Sequence, residues 1–243
     1  CGLLLISKIP WIAATLGVLA ILFYSKKYKD GGKVLVVVFA FFLMYLAYGF
    51  YFNQDLFVSL WKLQLARYDL TFSSVFALFT QPFLVDRYML DGWIYFGWFA
   101  FILLLVKELK KNFIVVFGLL AYLAVFIFAI PNEPGHGWYR YPFYPFLAVS
   151  LALFIKEYFN KNLLLTSLFV LFIGLSLLEL TWASTFGFSF VILRLFLVAC
   201  ASTLLPLFFD LPKIKKYSSA MNYLLLLLLF SLNVWAIISF VDL

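Results

Sequence analysis

Of the chain's 243 residues, 66% are hydrophobic, 22% aromatic and only 12% charged, and its mean hydropathy is +1.07. A soluble domain carries about 45–50% apolar and about 25% charged residues, so this composition excludes a water-wetted globule and points to a membrane. The formal charge of +7 sits in short lysine-bearing loops that fix membrane topology, which argues against nucleic acid as a partner.

A transmembrane helix needs about 20 mostly apolar residues to cross about 30 Å of hydrocarbon. Apolar runs of that kind fall at 3–24, 34–52, 91–106, 113–130, 142–158, 163–181, 190–209 and 223–241, with a weaker one at 74–90. Charge decides whether the weak run crosses. The clusters Lys26/Lys27/Lys29/Lys33, Lys107/Lys110/Lys111, Lys156/Lys161 and Lys213/Lys215/Lys216 fall in alternate loops only if it does not, and the positive-inside rule then puts them all on the cytoplasmic side. The expectation is an all-α polytopic transmembrane helix bundle of about eight spans, a single transmembrane domain over 1–243. Residues 53–90 form one external segment of interfacial or re-entrant helices.

Smaller features fit this frame. "KKYKDGGK", residues 26–33, reads as a tight basic turn, and "LLLLLLF" at 224–230 as lipid-facing leucine. Cys1 and Cys200 make no disulfide framework, and Cys200, inside an apolar run, reads as a small buried hydrophobe. The first residue is not Met and no basic segment with a cleavage site precedes the first span, so the chain is expected to start in the middle of a longer protein.

Six basic residues lie outside the loop clusters: Lys8, Lys62, Arg67, Arg87, Arg140 and Arg194. Lys8, Arg140 and Arg194 all fall near the outer ends of inward-running helices. Arg140 stands just before a helix whose first turn holds Pro142 and Pro145, a position proline favours because its missing N–H costs nothing there. A helix N-terminus already carries partial positive charge, so a cation beside it is unfavourable unless an anion is expected. Free N–H groups with a cation make a phosphate site. One lysine or arginine that snorkels or stacks on aromatics needs no ligand; three on one face suggest a bound anion.

Acidic residues on the same side are Asp55, Asp69, Asp86, Asp91 and Glu133, with Glu179 near the outer end of its span. Asp91 reads as a helix cap. His136 is the single histidine, in "PNEPGHGWYRYPFYPF". With Glu133 three residues before it, it forms too thin a ligand set for a metal site; it reads as a general base, a phosphate donor or a histidine bonded to a loop carbonyl. No metal or other cofactor is indicated, and the sequence has no P-loop, GxSxG, HExxH or CxxC motif.

Three stretches together resemble the GT-C membrane glycosyltransferases, the superfamily of the dolichyl-phosphate-mannose protein mannosyltransferases and the bacterial aminoarabinose transferases of lipid A. "GLLLISKIPWIAATLGVLAILFY" is similar to their Thr/Ser-Lys-x-Pro stretch opening a mid-protein helix, and "DGWIYFGWFAFILLL" and "GHGWYRYPFYPFLAVSLALF" to later segments. The resemblance covers residues 2–155 and rests on order and spacing.

It implies transfer of a sugar from a polyprenyl-phosphate carrier to a protein, lipid or glycan acceptor on the non-cytoplasmic face. The leaving phosphate needs positive charge where negative charge develops. Lys8 and Arg140 match the motif positions for that role, with Arg67 and Arg87 as weaker contacts. Tyr139, Tyr141, His136 and Glu133 would line the same cavity. In the family the catalytic acid lies in the first external loop, which has no counterpart ahead of the Ser-Lys-x-Pro helix here. The general base is therefore expected upstream of residue 1, and the chain is expected to be a C-terminal part, inactive alone. The alternative is a non-enzymatic membrane protein, such as an anionic-lipid transporter or flippase or a structural subunit. Against it, the mid-span positions are almost wholly apolar, whereas transporters place polar groups near the bilayer midplane.

Overall fold

The computed structural model describes residues 12–66, 92–129, 142–179 and 190–239, and every regular element among them is helical. In chain order these are α1 (Ile12–Tyr24), α2 (Tyr28–Leu65), α3 (Gly92–Lys107), α4 (Leu109–Ala129), α5 (Phe143–Tyr158), α6 (Leu163–Glu179), α7 (Phe190–Ser202) and α8 (Pro212–Ser239), with a 3-10 turn at Leu205–Leu207 before α8. Each of the eight apolar runs overlaps one of them within the described residues. By length and composition α2, α4 and α8 can cross a membrane, while α1, α3, α6 and α7 contribute shorter apolar stretches. The chain divides into two compact units, Cys1–Leu84 with Leu103–Phe146 and Val85–Ile102 with Leu147–Leu243.

In the first unit α1 lies antiparallel to α4. Lipid tails are as apolar as leucine, so burial gives helices little reason to associate in a bilayer and close packing of small residues takes its place. Gly17 provides it: a Cβ there would sit 3.6 Å from both the Gly118 Cα and the Ala121 Cβ, with Ala13 buried one turn earlier. At the other end of α1, the Tyr24 ring stands 5.3 Å from Phe113 and 5.2 Å from Phe117. The turn into α2 is closed by Lys27 N–H donating to the Leu22 carbonyl (2.8 Å) and Lys26 N–H to Phe23 (3.0 Å). This Schellman pattern places Lys26 in the left-handed region, φ 58°, where glycine is usual.

The basic turn is shorter than the sequence suggested. It comprises Ser25–Lys27, and the Gly-Gly pair of "KKYKDGGK" lies inside α2. Gly31 is buried with Phe23 beside it. Asp30 occupies the first turn, where a carboxylate complements the helix dipole, and pairs with Lys33 at 3.1 Å.

Helix α2 is not one rod. Asn53 has extended backbone (φ −165°, ψ 97°), and its Oδ1 accepts the Leu56 N–H at 2.9 Å, the bond of an N-cap starting a second helix. That second leg folds back along the first. Phe57 meets Tyr45 (5.3 Å) and Phe50 (5.4 Å), and Trp61 meets Phe42 (6.5 Å). In a straight helix residues 42 and 61 would be about 28 Å apart. Gly49 makes the contact possible, since the Phe57 ring occupies the space a Cβ would need.

In the second unit an aromatic core joins the first half of α3 to α5 and α6. Phe96, Phe154 and Phe169 are almost fully buried; the Phe96 ring lies 4.8 Å from Phe154 and 4.9 Å from Phe169, and Trp93 5.9 Å from Phe169. Gly97 lets α3 approach Leu147 of α5. Helix α8 begins at Pro212, eleven residues before the apolar run that announced it, because proline suits the first helical position and Lys213–Ser219 continue the helix toward the apolar run.

Candidate functional site

Every residue that the sequence assigns to the site lies outside the described residues: Lys8, Arg67, Arg87, Glu133, His136, Tyr139, Arg140 and Tyr141. So do Asp69, Asp86, Asp91 and all of the 53–90 segment beyond Ala66. What the structure gives is the pair of helices that two of these residues precede in sequence. Antiparallel packing sets Tyr24 of α1 against Phe113 and Gly17 against Gly118 and Ala121, so the start of α1 points toward the last turns of α4. The start of α5 is at the same place: the buried Phe143 ring is 4.8 Å from Tyr122 and 5.2 Å from Phe126. Lys8 precedes α1 by four residues and Arg140 precedes α5 by three. The two helices that follow them therefore begin at one end of the first unit. The lysine-bearing junctions α1–α2 and α3–α4 occupy the other end, joined by the Tyr24–Phe113 contact.

Other singled-out groups are described. Lys62 is exposed in the last turn of the returning leg of α2, and Asp55 is exposed in its first turn, each at the end where its charge suits the helix dipole. Arg194 is exposed on α7 with no ion-pair partner among the described residues. Cys200 is free and buried. Among the described residues no group of three His, Cys, Asp or Glu side chains is placed to hold a metal.

The second unit contains a polar assembly that nothing in the sequence analysis singles out. Thr166, Thr203, Ser218 and Asn222 are fully buried. Thr203 Oγ1 donates to the Cys200 carbonyl at 2.7 Å; its one proton thus used, it accepts from Ser167 Oγ at 2.6 Å. Ser218 Oγ donates to the Thr203 carbonyl. The α5–α6 turn is fastened by Thr166 Oγ1, which accepts the Asn160 N–H (2.8 Å) and donates to the Asn162 carbonyl (2.9 Å). Asn162 Oδ1 caps α6 through the Leu165 N–H at 3.1 Å. Asn160, left-handed at φ 58°, accepts from Asn222 Nδ2 at 3.3 Å. Asn160 Nδ2 and Asn222 Oδ1 are buried without partners among the described residues. These bonds tie α6, α7 and α8 together at the end that carries Lys156, Lys161, Lys213, Lys215 and Lys216. They are bonds between hydroxyls, amides and carbonyls, suited to holding helices rather than to acid–base chemistry. The signal was present in "SSAMN", where Ser218 and Asn222 share a helix face at i, i+4.

No family model, no curated protein and no solved structure matches the chain.

Proposed function

We propose that the chain is the phosphate-binding, C-terminal part of a GT-C-type glycosyltransferase that takes a sugar from a polyprenyl-phosphate carrier on the face opposite the lysine-bearing turns. The observation that carries this reading is the common end at which α1 and α5 begin. The helices that follow Lys8 and Arg140 in sequence both begin near the last turns of α4, and a single phosphate is the ligand that two cations brought there would take. As the acceptor attacks the anomeric carbon, the carbon–oxygen bond to the carrier breaks and its electron pair leaves with the phosphate. Lys8 and Arg140 stabilise that growing charge. Tyr139, Tyr141, His136 and Glu133 line the sugar side, and Arg67 contacts the carrier phosphate from the segment that follows α2. The acceptor's proton passes to a general base that is none of these residues.

The test is Lys8→Ala and Arg140→Ala in the complete protein, assayed with a polyprenyl-phosphate sugar. Each variant should lose about a hundredfold in turnover, the scale for one oxyanion-type contact, while remaining folded by circular dichroism. Wild-type turnover in both folded variants refutes the assignment and leaves an anionic-lipid transporter as the better reading.

A further inference from the structure

The second unit carries a groove of about 680 Å³ whose walls include Trp93, Ile155, Tyr223, Leu227, Phe230 and Asn233, within the roughly 300–1,000 Å³ range of small-molecule sites. It follows α8 from Tyr223 to Val234, about 16 Å of helix. That is half of the ~30 Å hydrocarbon thickness, the depth of one leaflet. Its walls ask for an apolar occupant. Asn233 alone among the α8 lining residues carries an amide, and its Nδ2 is already donated to the Leu229 carbonyl at 3.0 Å.

The chemistry changes at the Tyr223 end. Tyr223 packs on Phe159 at 5.2 Å, beside the turn that bears Lys161. Along α8 the groove stripe Tyr223, Leu227, Phe230 and Val234 continues backward to Lys216 at helical spacing, i−7 from Tyr223. Lys161 and Lys216 are exposed, with Lys156 and Lys213 nearby in the chain. Lys161 Nζ donates to the Lys156 carbonyl at 3.1 Å, which holds its charge at the turn. The carboxylates of these segments are Glu157 and Asp210, and Asp210 is taken by Lys215. Positive charge is in surplus at the mouth of an apolar groove one leaflet deep.

We propose that this groove binds one anionic phospholipid, its phosphate at Lys161 and Lys216 and one acyl chain along α8. This site lies at the lysine-bearing end of the second unit and does not depend on the glycosyl-transfer reading.

The experiment is native mass spectrometry of the full chain released from vesicles of equimolar phosphatidylglycerol and phosphatidylcholine. One phosphatidylglycerol should be retained in preference. Lys161→Gln and Lys216→Gln should each lower that preference about fivefold, the scale for one lysine near an anionic surface. Leu227→Trp, at a position 64% exposed and therefore tolerant of size, should reduce retention of both lipids several-fold with unchanged circular dichroism. Retention in the bulk lipid ratio, or no retained lipid, overturns the proposal. A charge effect without any effect of Leu227→Trp also overturns it, because the lysines would then be a headgroup surface with no groove behind it.

Discussion

Phe42 and Trp61 stand with ring centroids 6.5 Å apart on two legs of one helix that reverses at Asn53. Aromatic contacts, a glycine beneath Phe57 and an asparagine cap together hold the fold-back, so it can be opened from any of the three. The returning leg, 54–65, covers about 18 Å, too short to cross a membrane.

Spin labels at the exposed Leu35 and Leu65 measure this directly. A straight helix would separate them by about 45 Å; the folded-back leg should give less than half of that. Asn53→Ala removes the cap on the Leu56 N–H, at a cost of about 1 kcal/mol, and should add a long-distance population. A single distance near 45 Å in the unaltered chain would contradict the hairpin.

Gly17→Ala and Gly17→Leu separate the α1–α4 crossing from general destabilisation. A Cβ at Gly17 would stand at ordinary contact distance, 3.6 Å from its neighbours, so alanine should be tolerated. Leucine overpacks the crossing, at about 1–3 kcal/mol, and moves the start of α1 away from that of α5. Thermal unfolding in detergent should be near wild type for alanine and clearly lowered for leucine, and transfer activity of the complete protein should follow the same order.

The eight helices among the described residues were each signalled by an apolar run, because a helix that satisfies its own backbone is what a bilayer permits. The fold-back was not. Asn53 sits in "YFNQD", and nothing in its neighbours distinguishes a cap that starts a reversed leg from an asparagine facing the interface. The Gly-Gly pair after Asp30 misled in the opposite direction: it resembles a turn, yet both glycines lie inside α2, with Gly31 buried beside Phe23. The bonds of Thr203 to Ser167 and Ser218, and of Asn222 to Asn160, were hidden because they join residues distant in sequence. The candidate phosphate site was legible only as charge beside helix starts; that α1 and α5 start together depends on Gly17, Gly118 and Phe143 packing, which spacing does not reveal.

Asn222→Leu tests the polar assembly. It leaves the part-buried Asn160 Oδ1 without its amide donor, a loss of about 1–3 kcal/mol. Unfolding in denaturant should show it, and Asn222→Gln, which keeps an amide, should lose less. Equal stability of Asn222→Leu and the wild type would mean that the amide pair contributes nothing net.

In the loop before α8, the Lys215 ammonium holds the Asp210 carboxyl below the usual carboxylate range, through its hydrogen bond first and its charge second. The folded value is lower than the unfolded one, so the pair contributes above the unfolded carboxylate range and is lost as pH falls through the folded value. A carbon-13 titration of Asp210 should give a midpoint below that of an unpaired exposed aspartate, and Lys215→Ala should return it there. An unchanged midpoint in that variant would remove Lys215 as the cause.

Face-specific transfer tests the central claim most directly. The complete protein is reconstituted with the orientation read from an impermeant label at Lys26→Cys, and a polyprenyl-phosphate sugar is supplied to one leaflet at a time. The account predicts transfer only when donor is present in the leaflet opposite Lys26, and about a hundredfold less with Arg140→Ala. Transfer from the Lys26 side, or equal turnover with and without Arg140, would contradict it.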